Sequence, residues 1–138
     1  MSGAIVLDAW AALAFLQREG HAALVVRRLL RRAVRGNVRL LINAVNLGEV
    51  YYRLLQVAGE QRADERFGLL RRLPIEVCPV REPLALSAAR IKAAYPISYA
   101  DAFAVASARS ERARLATGDP EILALPRALV SVVKLHRT

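Results

Sequence analysis

The order of segments along these 138 residues predicts an α/β fold, with a mostly parallel sheet of four to five strands covered by helices on both faces. Short apolar runs of strand length alternate with longer segments whose apolar residues recur at helical spacing. The order is β, α, α, β, α, α, β, α, α, β, then a loop and a last β. Such alternation builds parallel strands joined by crossover helices. The breaks fall at Gly20, Gly59, Pro74, Pro96 and Gly118, residue types that interrupt regular structure most strongly. The length suits one domain over residues 1–138, enough chain to bury a core without staples. No internal repeat, low-complexity tract or linker divides it.

Residues 4–7 form the first strand, ending at Asp8, and the helical stretch AWAALAFLQREG follows at once, closed by Gly20. Over residues 21–35, Leu24, Val25, Leu29, Ala33 and Val34 repeat at helical spacing, while Arg27, Arg28, Arg31, Arg32 and Arg35 cover the other side. Residues 38–42 make the second strand. Residues 44–58 make the third helix, closed by Gly59, and 60–72 a further amphipathic helix ended by Pro74. Residues 75–80 read as the third strand. Pro83 is well placed at a helix start, and that helix stops at Tyr95, because Pro96 disfavours helical geometry in the residue before it. A helix over 99–112 leads to a fourth strand over 114–117, the turn Gly118-Asp119-Pro120, and a fifth strand over 130–135.

The formal charge is +9, from 21 Lys and Arg against 12 Asp and Glu, with Lys92 and Lys134 the only lysines. The planar fork of arginine suits bidentate phosphate contacts, so a nucleic-acid or acidic-protein partner fits this balance. GC-rich coding also produces Arg and Ala, so the charge by itself argues for general attraction and names no partner. Cys78 is the only cysteine and sits in the apolar run IEVCPV. No disulfide framework or thiol-rich zinc site can be built within one chain, and a reducing cytoplasm is the expected location. The apolar start over residues 4–16 lacks a basic leader, carries Asp8 in its middle and is too short to span a bilayer, so neither a signal peptide nor a membrane anchor is expected.

Four acids have local explanations one at a time. Asp8 lies between strand and helix, where it would cap the first helical turn. Glu49 has Arg53 four residues on, the favourable helical pairing, yet Val45, Leu47, Val50, Tyr51 and Leu54 make most of that helix apolar. Ser98-Tyr99-Ala100-Asp101 has capping-box spacing, and Thr117-Gly118-Asp119-Pro120 has turn chemistry. Taken together they read differently. In a parallel α/β sheet the strand C-termini and the starts of the following helices share one edge, where ligands bind at the reversal of strand order. Four carboxylates gathered there would repel one another and raise their pKa values unless a cation neutralised them. Oxygen ligands without His or Cys select Mg or Mn over zinc or copper. Converging acids in a basic body point to a metal-dependent nuclease.

The motifs LDAWA after the first strand, NLGEVYY in the helix after the second, SYADAFAVASA opening a helix and TGDPE after the fourth strand resemble those of PIN-domain ribonucleases of the VapC toxin type. The resemblance covers nearly the whole chain. It implies a three-layer α/β/α sandwich, Mg- or Mn-dependent endoribonuclease activity, homodimerisation, and inhibition by a small cognate antitoxin docking beside the site. By this resemblance Asp8, Glu49, Asp101 and Asp119 hold the metal and carry catalysis, while Asn46, Ser98 and Thr117 are donors that orient them. The implied products carry a 5′-phosphate and a 3′-hydroxyl, as when water attacks. One departure is Trp10, where many members have a small hydroxyl residue two places after the first acid.

The remaining candidates have plainer readings. Cys78 is expected to be a buried packing residue, and Trp10, Phe15, Tyr51 and Tyr52 core or dimer-interface residues. His21 and His136 do not read as a general base. The arginine face from Arg27 to Arg35 reads as a solvated surface, with antitoxin or RNA contact the functional alternative. Two other functions compete. A binding module without catalysis would be expected to have lost at least one of the four acids. A haloacid-dehalogenase-type hydrolase would need more chain, and a second Asp where Trp10 stands.

Overall fold

A computed structural model describes residues 3–138. It contains one all-parallel sheet in the order β3-β2-β1-β4-β5, built from β1 (Gly3–Leu7), β2 (Val38–Asn43), β3 (Ile75–Cys78), β4 (Arg114–Thr117) and β5 (Val132–Lys134). Ile5 pairs with Leu40 on one side and Arg114 on the other, which makes β1 central. The connecting helices are α1 (Ala9–Leu16), α2 (Gly20–Val34), α3 (Ala44–Arg71), α4 (Glu82–Ala94), α5 (Tyr99–Ser110) and α6 (Pro120–Leu123).

The sandwich follows from alternation along the central strands. Val6, Leu41 and Leu115 point into one apolar layer with α4 and α5, through Ala88, Ile91, Phe103 and Val105. Their neighbours Ile5, Leu7, Leu40 and Ala116 point into the opposite layer with α1 and α2. Strands covered on both faces read as continuous apolar runs, as GAIVL and VRLLIN do. A third cluster packs α1 against α3 through Leu13, Leu47, Val50 and Leu54.

Several boundaries differ from expectation for identifiable reasons. The first helix ends at Leu16 and α5 at Ser110, each closed by an arginine at positive φ: Arg18 at 56° and Arg112 at 52°. Glu19 N–H bonds the Ala14 carbonyl and Ala113 N–H the Ala108 carbonyl, the six-to-one closure that usually employs glycine. With arginine in that position, no stop signal is visible in the sequence. The third strand ends at Cys78, before Pro79, which has no N–H to donate. It is an edge strand, so Cys78 is half-buried and not a core residue. The last strand is shorter than expected, and the expected loop after Asp119 holds α6.

On α2 the buried residues are Ala22, Val26, Leu29 and Leu30, whereas Leu24 and Val34, expected inside, are exposed. The arginine face is solvent-exposed as expected. Gly59 breaks α3 at φ 80° and ψ 169°, a region essentially reserved for glycine. Tyr51 and Phe67 would be about 24 Å apart in a straight helix, yet their ring centroids are 4.9 Å apart. The second half therefore folds back on the first, as the expected two-helix reading requires. No helix among the described residues is long and apolar enough to cross a membrane.

Candidate active site

Strand order reverses between β1 and β4, and the acids gather at the C-terminal ends of these two neighbours. Asp8 leaves β1 and caps α1, its Oδ1 accepting from Ala11 N–H at 2.8 Å. The Thr117 hydroxyl, from the end of β4, donates to Asp8 Oδ2. The same Thr117 oxygen accepts from Asp119 N–H at 3.0 Å, so one side chain ties the first acid to the fourth. Asp119 in turn caps α6, accepting from Glu121 N–H at 2.9 Å. Ser98 caps α5, accepting from Asp101 N–H at 3.1 Å. Asp8 and Asp101 are both buried.

Burial, more than any other influence, pushes the Asp8 carboxyl up to about 7; the Thr117 and Ala11 bonds oppose it, and the charges of Asp101 and Asp119 add to it. Asp101 is also pushed up to about 7, first by burial and next by Asp119. Glu49, in the second turn of α3, is raised by burial, with Arg53 opposing at 3.8 Å and Asp119 adding. Asp119 thus acts on each of the other three expected acids, and Asp101 links Asp8 with Glu49.

The tightest group differs from the expected quartet. Oxygens of Asp101, Asp119 and Glu121 lie within 4.8 Å of one another, close enough to share one cation at metal–oxygen distances of about 2.0–2.6 Å. Asp8 and Glu49 couple electrostatically to members of this trio. Glu121 was absent from the expected set although it belongs to TGDPE. Its signal was Pro120, which after a capping Asp119 marks a helix start and puts Glu121 in the first turn.

Thr117 and Ser98 bond the acid motifs as expected, but Asn46 does not bond a carboxylate. Its Nδ2 donates to the Ala100 carbonyl at 3.0 Å, and its Oδ1 accepts from Asn43 Nδ2 at 2.8 Å. Asn43, outside the expected set, caps α3 and also donates to Ser107 Oγ at 3.0 Å. This buried network fixes α3 against α5, the helices that carry Glu49 and Asp101. An Asn between strand and helix was the available cap signal.

An all-oxygen acidic cluster fits a hard divalent cation. The PIN domain model matches residues 5–128, nearly the whole chain. The chain belongs to the PIN domain family. No curated protein matches it. Among solved structures, this PIN domain is similar to DNA-bound VapBC from Salmonella typhimurium, with a TM-score of 0.74 and 18% identity over 97% of this chain and 98% of that one. A toxin-antitoxin complex from Klebsiella pneumoniae gives 0.69 and 15% over 97% and 99%. VapC20 of Mycobacterium tuberculosis, described as a sarcin-ricin loop cleaving toxin, gives 0.69 and 16% over 87% and 93%. At these identities the likeness shows the fold.

Proposed function

We propose that this PIN domain, residues 1–138 as one nuclease domain, is a Mg- or Mn-dependent endoribonuclease acting in the cytoplasm as the toxin of a toxin-antitoxin pair. The acidic cluster carries the reading: Asp101, Asp119 and Glu121 share one point, with Asp8 and Glu49 electrostatically coupled to it. Asp101, Asp119 and Glu121 would hold the ion, with Asp8 and Glu49 completing the negative wall. A bound ion would supply a Lewis acid for the scissile phosphate and lower the pKa of attacking water. Glu49, partly buried in the second turn of α3, would orient that water. Thr117, Ser98 and the Asn43–Asn46 pair keep the acids in place, and the arginine-rich body draws in the polyanion.

One groove has the chemistry that an antitoxin segment would need. A groove of about 1000 Å³ between α1, α2 and the second half of α3 combines Leu24 and Leu69 with Arg18, Arg27, Arg66 and Arg72. That mixture suits an acidic amphipathic segment. Leu86 of α4 and Tyr99 of α5 are exposed apolar residues available to a second copy in a homodimer.

Incubation of purified protein with RNA tests the proposal. Cleavage is expected with Mg or Mn, none in EDTA, and none from Asp101→Asn, with 5′-phosphate and 3′-hydroxyl ends. Cleavage that survives chelation, or an active Asp101→Asn protein, would sink it.

A further inference from the structure

Two glycines permit close approaches on either side of Trp10 and Arg137. A Cβ on Gly118 would lie 2.2–2.6 Å from three atoms of the Trp10 ring, and a Cβ on Gly20 would lie 2.6 Å from the Arg137 carbonyl oxygen. The first absence lets the Trp10 indole pack directly on the residue preceding Asp119. The second, at φ +42°, lets the C-terminal tail dock on the start of α2. There Ala22 N–H donates to the His136 carbonyl at 2.7 Å and His21 N–H to the Thr138 carbonyl at 3.4 Å.

The docked tail sets the Arg137 guanidinium 4.8 Å from the centroid of the Trp10 ring. Glu19 lies 3.4 Å from its Nε, and the side chain is half-exposed. Contact with the indole restrains the guanidinium, and the half-exposed side chain keeps donor groups accessible to solvent. The backbone bonds already anchor the tail, so the stack serves to order the guanidinium. Glu19 takes the Nε edge, which leaves the Nη edge for another oxyanion. The same Trp10 ring packs on Gly118, the residue before Asp119, so this fork and the segment that presents Asp119 flank one indole.

We propose that Arg137, ordered on Trp10, binds the backbone phosphate next to the one held at the acid cluster. This subsite for an RNA phosphodiester rests on the nuclease reading and deepens it. It also gives a role to Trp10, which stands where a hydroxyl residue was expected, and to Gly118 beyond turn formation.

Trp10 is the only tryptophan, so its fluorescence reports on this spot without a label. A short oligodeoxyuridylate, which an endoribonuclease leaves uncut, is titrated at constant Mg across a salt series. Wild type is expected to bind with a change in Trp10 emission. Arg137→Gln is expected to weaken binding several-fold and lower the slope of log affinity against log salt by about one. Arg137→Lys keeps the slope but loses affinity, because it lacks the planar fork. Arg28→Gln makes the same charge change on the outer face of α2 and is expected to cost less. In cleavage with Mg, Arg137→Gln raises KM and leaves kcat nearly unchanged. An Arg137→Gln protein with wild-type slope and affinity, or a loss matched by Arg28→Gln, overturns the subsite. If wild type still cleaves RNA, the nuclease reading stands in that case; if wild type cannot cleave RNA with Mg, the nuclease reading fails and the subsite with it.

Discussion

Asp8 and Asp101 have carboxyls that the fold raises from 3.8 to about 7, chiefly by burial. The folded chain therefore binds these protons more tightly than the unfolded chain does. Their contribution to stability is full below about 3.8 and is lost as pH rises through about 7, in the absence of metal. Asp8→Asn removes the buried charge at nearly constant volume. Asn is as good a cap, and the Thr117 hydroxyl can turn to accept from the new amide. In EDTA above neutral pH the variant is expected to melt a few degrees higher than wild type, on the order of 1 kcal/mol. The difference should close toward the acid end of the window, and millimolar Mg should reverse the ranking, since wild type gains more binding free energy. Melting curves with and without Mg decide this: a variant far below wild type in EDTA, with Mg shifting neither, would make Asp8 only a cap. Asp8 was legible as both cap and ligand because the two roles require the same position. Glu121 was not, because its place depends on a helix too short to show a period.

That helix, α6, illustrates what an element needs when propensity cannot support it. A single turn is unstable alone, and α6 is closed at one end by Asp119, anchored by buried Ile122, and capped at the other by Arg127, whose Nη2 donates to the Leu123 and Leu125 carbonyls at 2.8 and 2.7 Å. Arg127→Ala is expected to leave the fold intact but weaken Mn binding several-fold by loosening Asp119 and Glu121; calorimetry showing wild-type affinity would refute the dependence. Gly59→Ala should cost about 1–3 kcal/mol in denaturant unfolding, because its φ and ψ suit glycine alone. An unchanged midpoint would mean that the reversal of α3 can form without that conformation. Strand and helix order was readable from alternating apolar periods. The ends of α1 and α5 were not, since Arg18 and Arg112 adopt the glycine conformation under tertiary constraint.

The whole molecule joins a parallel sheet, which brings distant acid motifs to one edge, to a body carrying a formal charge of +9. The edge was legible because strand order in an α/β fold dictates it. The trio within it was not, because side-chain distances follow from packing that no spacing records. RNA affinity is expected to fall steeply with salt as phosphate contacts release counterions; a flat dependence would remove the arginines from the mechanism. The central claim is that these acids form one divalent-cation site. Titration calorimetry of Mn into metal-free wild type and Asp101→Asn, above neutral pH, tests it most directly. Saturable binding by wild type, weakened at least about tenfold in the variant, is the expected result. Equal binding by both proteins, or none by wild type, would contradict it.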